Sequence, residues 1–503
     1  MGKIKQVFSI FATQEKFEKI MITFITAIVL LILGYFVYGK FLDKFFGASE
    51  KNVTPAVSQA DGIDFKVLSP WRIFIIQFLN IAGLGPIFGA VLGAAYGPIA
   101  YLWIVIGCIF MGAAHDYMSG MLSIRNGGKS LPDIVGQFLG TNIRRVMVFF
   151  TGLLLLVVGA SFVNGPAGLL ASLTNSNMNM WLYIVFAYYL VATLLPIDKI
   201  IGKIYPFMGA ALLFMAIGIG VMILVNGFTG DITMIELTPE TFRNYKSNAS
   251  EYMLIPMLFV VISCGAISGF HATQSPMMAR CLSNEKYGRP VFYGAMIAEG
   301  IVACIWATAA MAFFNGPDGL NTAAAEGLTP AIIVDKICNS WLGKFGAVIA
   351  ILGVVVCPIT SGDTAFRSLR LVLADALKYD QKPVMNRIIL CIPLFIVAFI
   401  LCKVNFATLW TYVGIGNQFL ATITLWTCAT YFAKVGKAHW LMSIPATFLT
   451  FICVCFFLIA PVKEGGMNLE PLIGYVAGAA AALALLAFFL YSANKIKKNI
   501  SLQ

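Results

Sequence analysis

The chain has 503 residues, of which 59% are hydrophobic and only 11% charged, with a formal net charge of +11. Soluble domains carry about a quarter charged residues, so this composition excludes a soluble protein of this length and calls for a second solvent, the bilayer. The positive balance does not point to nucleic acid, because the Lys and Arg residues are scattered through short loops, where positive-inside topology accounts for them.

A membrane-spanning helix needs about 20 mainly apolar residues, and such runs recur along the chain. The alternating strands of an outer-membrane barrel are missing from the pattern. Helix is then the remaining way to satisfy the backbone in lipid, and about thirteen spans are predicted. Residues 1–70 hold a first span near 20–40 and a polar linker. The first 19 residues are mixed and charged and the run after them has no cleavage pattern, so it reads as a span that stays. Five spans follow within 71–227, near 71–94, 97–121, 145–171, 181–197 and 205–227. A polar loop with Asp231, Glu236, Glu240 and Glu251 separates them from five more within 253–432. These lie near 253–277, 290–314, 345–373, 386–403 and 407–432. Two last spans, near 439–461 and 471–492, and a basic tail make up 439–503.

Charge orients this map. Arg125, Lys129, Arg144 and Arg145, then Lys199 and Lys203, then Arg280, Lys286 and Arg289 fall on one side, as do Lys378, Lys382, Arg387, Lys434 and Lys437 and the tail lysines 495, 497 and 498. That side is expected to be cytoplasmic. Lys3, Lys5, Lys16 and Lys19 conflict with an outside N-terminus unless a segment near Val7–Phe11 re-enters.

The second span contains Ile81-Ala-Gly-Leu-Gly-Pro-Ile-Phe-Gly89, and the seventh contains the polar run Ser263 to Pro276. Matched Gly/Pro-interrupted helices in two halves point to an inverted-repeat transporter and its binding site. Five is odd, so a second group of five enters from the opposite side. A broken helix offers N–H groups to an anion and C=O groups to a cation. Gly83, Gly85 and Pro86 in the first break are therefore candidate substrate-binding residues. So are Ser263, Gly265, Ser268, Gly269, His271 and Gln274 in the second. The alternative is that the glycines only allow close packing and that His271 faces water at a span end.

Asp116, Glu299, Asp363 and Arg367 are candidates for gating or proton transfer, because ionisable groups inside a membrane are costly. Asp363 and Arg367 are four apart and can pair on one helix face, and the ninth span is read as opening at Thr360. His115-Asp116 could instead anchor a cytoplasmic loop. Thr360, Ser361 and Thr364 supply hard oxygen ligands of the kind sodium takes. Asn417 and Gln418 interrupt the eleventh span, and could line a path or bond neighbouring helices. The eleven cysteines show no CxxC metal spacing and read as small buried residues. Without Walker A, HExxH or GxSxG signatures, no enzyme activity and no cofactor are expected.

At these motifs the chain resembles the carbon starvation protein A (CstA) family of transporters. The matching strings are IAGLGPIFGAVLGAAYGP, HDYMSGMLSIRNGGKSLPDIVG, ISCGAISGFHATQSPMMARCLSNE, YGAMIAEGIVA, DTAFRSLRLVLAD and WTYVGIGNQFLA, in order between about residues 72 and 432. The resemblance implies an all-α polytopic membrane protein with a LeuT-like five-plus-five inverted repeat and extra helices at both ends. It implies import of a small carbon source, pyruvate or peptide, by proton or sodium symport across the inner membrane. The expected partners are a small-molecule substrate and the lipid bilayer. The chain departs from the family pattern after SGFHA, in the short stretch Asn315–Trp341 and after Leu194-Leu-Pro-Ile-Asp198.

Overall fold

A computed structural model describes residues 21–501 apart from 63, 195, 196 and 405. The basic residues Lys3, Lys5, Lys16 and Lys19 and the segment Val7–Phe11 lie outside the described residues, as does Pro196. Every regular element among the described residues is helical. α1 runs over Ile22–Phe46, α2 over Pro70–Ile81, α3 over Gly85–Ala94 and α4 over Ile99–Arg125. A short α5 (Leu131–Leu139) leads into α6 (Thr141–Thr174), α7 (Met178–Leu194) and α8 (Ile197–Thr229). After the polar loop come α9 (Leu254–Val261), α10 (Gly269–Ala279), α11 (Glu285–Phe313) and α12 (Pro317–Ala325). α13 (Pro330–Leu377), α14 (Val384–Leu401), α15 (Phe406–Lys434), α16 (Trp440–Ile459) and α17 (Pro471–Ser501) follow.

Among the described residues, nine helices are long and apolar enough to cross a membrane, or ten if the bent pair α2–α3 is one span. The other expected segments are helical but fall short for local reasons. α7 has only 17 residues. The pieces α9 and α10 are halves separated by irregular backbone. In α15 the amides of Asn417 and Gln418 sit in the middle of the apolar run.

The ninth span, expected near 345–373, is found at Gly346–Leu377, but one residue is placed differently within it. Thr360 does not open the ninth span but lies in the body of α13, which starts at Pro330. Thr329 caps that start by accepting the Ile332 N–H at 3.4 Å. At Gly343 the backbone turns through φ 63°, a conformation that costs glycine little, and two helical stretches join there.

Side-chain exposure shows the solvent that the chain expects. Phe207 is 80% exposed, Phe149 73% and Leu472 67%, and α14 and α17 keep most of their apolar surface outward. In water this would be a severe liability; in hydrocarbon it costs nothing. α4 and α11 are mostly enclosed. They pack with the broken helices in one group, while α13 packs along α6 and α8.

The two ends of the molecule differ in charge. Arg125 at the end of α4 meets Glu285 at 3.1 Å and the Gly47 carbonyl at 2.7 Å, and Lys437 reaches the Phe45 carbonyl at 2.5 Å. The opposite end holds Glu236, which accepts from the Ile22 and Thr23 N–H groups, and the pair Lys463–Glu251 at 2.8 Å. The first end gathers the basic loops, the arrangement that the positive-inside rule associates with a cytoplasmic face.

Candidate functional site

Both broken helices follow from their sequences. Pro86 has no N–H to donate one turn back, so the helical ladder fails near Ala82. Ala82 takes φ −77°, ψ 38°, and the chain bends by 53° between α2 and α3. In the second break α9 stops at Val261, Ile262 leaves the helical region at ψ 67°, and Ser268 is extended before α10 begins.

The two breaks pack directly on each other. A Cβ built on Gly85 would lie 2.2 Å from the Cβ of Cys264 and 2.4 Å from its Sγ. One on Gly265 would lie 3.9 Å from the Pro86 Cα, and one on Gly83 would meet the Ser361 hydroxyl at 3.0 Å. Gly269 abuts α15, where a Cβ would sit 2.4 Å from that of Leu420. Only side-chain-free backbone can approach this closely.

Orphan backbone groups at the breaks are met by other helices, as buried polar groups must be. The Leu79 carbonyl near the end of α2 accepts from Thr360 Oγ1 at 3.3 Å and from Ser361 Oγ at 3.0 Å. Asn417 Oδ1 accepts the Phe270 N–H at the start of α10 at 3.3 Å, and Gln418 Nε2 donates to the Phe259 carbonyl near the end of α9 at 2.6 Å. Adjacent amides of α15 thus serve both halves of one broken helix. The Thr364 hydroxyl turns back onto its own helix, to the Thr360 and Ser361 carbonyls at 3.2 and 3.1 Å.

Asp116, His271 and Glu299, separate candidates in the sequence, come together in space. Asp116 Oδ1 accepts from His115 Nδ1 at 2.8 Å, and Oδ2 from His271 Nδ1 at 2.9 Å. His271 Nε2 lies 3.5 Å from Glu299 Oε2. All four side chains are fully buried, so His115-Asp116 is no loop anchor and His271 does not face water. Neither Glu299 oxygen has a hydrogen-bond partner among the described residues. Gln274 donates to Thr273 Oγ1 at 2.8 Å.

Asp363 and Arg367 share a buried face of α13, and each also serves another helix. Tyr205 of α8 donates to Asp363 Oδ2 and to the Thr360 carbonyl, both at 3.0 Å, while Arg367 donates to the Ala192 carbonyl at 2.7 Å. Tyr205→Phe removes a buried donor that serves two acceptors. We expect a loss of about 1–3 kcal/mol, read as a lowered unfolding temperature of the purified protein in detergent.

A cavity of about 870 Å³ opens toward the acidic end, with Lys246, Tyr252 and Glu464 near its mouth and Phe88, Asn164, Trp410, Ser263 and Cys264 in its wall. Among the expected substrate-binding residues, Ser263 lines it and Gly85 packs on Cys264 of its wall, while Gly83, Pro86, Gly265, Ser268, Gly269, His271 and Gln274 are outside its lining. At the basic end a smaller hollow of about 480 Å³ is lined by Asp64, Gly128, Arg280, Asp375 and Gln381, and buried and half-buried ion pairs tie its walls together. Arg370 of α13 reaches Asp64 at 3.5 Å and Gln381 at 2.6 Å, and Arg280 reaches Asp375 at 3.4 Å and the Gly128 carbonyl at 2.8 Å. Cys264, Asn164, Tyr205, Asp64 and Arg370 were missed by sequence reasoning. Cys264 stands inside the polar run Ser263–Pro276, and that placement was the available signal.

A family model described as carbon starvation protein CstA matches residues 19–173, 165–325 and 317–455. An uncharacterized membrane protein of Haemophilus influenzae is 43% identical over 61% of this chain and 95% of its own length. The peptide transporter CstA of Campylobacter jejuni is 24% identical over 89% of this chain and 80% of its own. The pyruvate/proton symporter BtsT of Escherichia coli is 24% identical, over 57% of this chain and 48% of its own. The crystal structure of MhsT in complex with L-phenylalanine superimposes with TM-score 0.54 at 11% identity, covering 85% of this chain and 99% of that one. At that identity the likeness establishes the fold alone. The chain is a multi-pass membrane protein, and its relatives of stated function are named as transporters.

Proposed function

The chain belongs to the carbon starvation protein CstA family, and on that premise we propose that it is a secondary active symporter importing a small carboxylate, pyruvate first among candidates. The architecture that goes with this is a five-plus-five inverted repeat. α2–α8 form one half and α9–α15 the other, with α1, α16 and α17 outside it. The broken helices with α4 and α11 rock against the remaining helices of the repeat.

One observation carries the reading: two broken helices pressed together at Gly85 and Cys264 beside a cavity of about 870 Å³ open at the acidic end, against a smaller hollow of about 480 Å³ at the basic end with Asp64 of the buried Arg370–Asp64 pair in its wall. That is the outward-facing half of an alternating-access cycle. The substrate carboxylate binds between the breaks, near the N-terminus of α10, where helix N–H groups favour an anion. His271 and Gln274 border that position, and Asp363 with Arg367 supports it from α13. A sodium gradient would act through Thr360 and Ser361 beside the Leu79 carbonyl. A proton gradient would act through the buried carboxylates.

The test is uptake of labelled pyruvate into proteoliposomes with proton and sodium gradients imposed separately. Concentrative uptake under one gradient, and none without it, is the expected result. Monodisperse protein that takes up no pyruvate under either gradient overturns this substrate. A second reading, a di- or tripeptide carrier, is favoured by the cavity, whose volume of about 870 Å³ greatly exceeds a three-carbon acid. It predicts that dipeptides accumulate and that pyruvate does not compete.

A further inference from the structure

We propose that Cys264, His271 and Glu299 form a three-ligand site for a divalent transition metal of the zinc class, entered from the outer cavity. This proposal does not depend on the transport reading. Cys264 Sγ, a ring nitrogen of His271 and a carboxylate oxygen of Glu299 all lie within 4.8 Å of one another. Zinc–ligand distances of about 2.0–2.3 Å put tetrahedral ligand atoms roughly 3.5 Å apart. A side-chain contraction of about an ångström therefore closes the site around an ion.

Four observations point to a ligand rather than to packing. First, His271 Nε2 and both Glu299 oxygens are fully buried with no hydrogen-bond partner among the described residues. Buried polar atoms are nearly always satisfied, and each exception asks for a cause. Second, the other nitrogen of His271 is held by Asp116 at 2.9 Å. A carboxylate on Nδ1–H fixes the tautomer and leaves the Nε2 lone pair aimed at Glu299, which is how metal-binding histidines are held. Asp116 is itself fixed by His115 at 2.8 Å. Third, Cys264 Sγ has an amide and two hydroxyls around it, Asn417 Nδ2 and Ser268 Oγ at 3.7 Å and Ser263 Oγ at 3.9 Å, groups that can donate to the thiolate a bound ion would create. Fourth, a divalent ion offsets the charges of a thiolate and of the Glu299 carboxylate in the membrane interior, where charge is costly, and leaves only Asp116, which two histidines hold.

The donor set selects the metal class. Thiolate and imidazole favour zinc and its neighbours over magnesium, calcium or sodium, which take oxygen ligands. Three protein ligands leave a fourth position, and Cys264 lies in the wall of the cavity, which supplies both an entry path and water. The ligands come from the second broken helix and α11, and their support comes from α4 and α15. The ion would therefore tie the second broken helix to α11 and, through Asp116, to α4.

The test is titration of the purified, detergent-solubilised full-length protein with Co²⁺ alone. The expected result is one equivalent of Co²⁺ with a thiolate-to-cobalt charge-transfer band, displaced by Zn²⁺ and not by Mg²⁺. Cys264→Ser abolishes the band, and Asp116→Asn weakens Co²⁺ binding about 10–100-fold, the cost of losing a supporting carboxylate. Because Cys264→Ser could misfold, Glu299→Gln is measured beside it, and both are checked for monodisperse elution. No band in folded wild type overturns the proposal. So does a band that persists in folded Cys264→Ser, which would belong to another of the eleven cysteines.

Discussion

On the proposed transport reading, Gly85→Leu is expected to abolish pyruvate uptake in proteoliposomes while the protein still elutes as a single species. The first atom of any side chain at position 85 falls 2.2 Å from the Cβ of Cys264, far inside van der Waals contact. Overpacking of this kind costs about 1–3 kcal/mol in a soluble core, and here it must be relieved by separating the two breaks. A shift of about 1 Å at a positioned site can cost on the order of 100-fold in rate. Even Gly85→Ala is therefore expected to lower uptake by at least that factor. Gly168 on α6 is the control: it lines the same cavity, yet a Cβ there meets nothing within 4 Å. Gly168→Ala should leave uptake within about 2-fold, as substitutions at undemanding positions do. Normal uptake by folded Gly85→Leu would remove the packed breaks from the mechanism.

Arg370→Ala is expected to shift the protein toward a state open at its basic end. Arg370 and Asp64 are 1% and 9% exposed, and the pair ties α13 to the segment that leads into α2. Removing one partner of a buried pair costs about 3–5 kcal/mol, because the other charge is stranded. If the closed state bears that cost and the open state, with Asp64 hydrated, does not, the ratio of open to closed rises by about 100-fold to several thousand-fold. The eleven described cysteines are all buried, so a maleimide adds slowly to folded wild type. Cys281 lies behind this gate, where its carbonyl accepts the Leu68 N–H at 3.1 Å. We expect its labelling, located by mass spectrometry, to rise by about that factor while cysteines distant from the gate, such as Cys453, stay protected. Uniform labelling of every cysteine would mean unfolding, and unchanged labelling would mean that Arg370–Asp64 is no gate.

Much of the candidate site was legible as chemistry but not as geometry. The breaks were visible because Gly83, Gly85 and Pro86 act on their own backbone, within a turn of where they stand. The polar run from Ser263 was visible because hydroxyls, an imidazole and an amide are conspicuous in an apolar span. Asn417 and Gln418 were seen as an interruption, yet their use as caps for α9 and α10 lies about 150 residues away in sequence. The ninth span was placed near 345–373 and is found at Gly346–Leu377; what apolar length did not reveal is the turn at Gly343 and the helical stretch from Pro330 before it.

The sequence by itself determined the solvent, the helical class, the two breaks and the basic end. Each of these rests on local quantities: the apolar length of a run, the missing N–H of a proline and the count of positive charges in a loop. Only the tertiary structure decided that Asp116, Cys264, His271 and Glu299, from three stretches of chain, converge on one point. It also decided that Gly85 faces Cys264 and that Arg370 faces Asp64. A helix fixes which residues share its face, but the partner across that face is set by how helices pack and rotate. In a chain where nearly every helix is apolar on all sides, hydrophobic patterning does not specify that rotation. The pairing of its few polar groups does, because in lipid each must find a partner inside the fold.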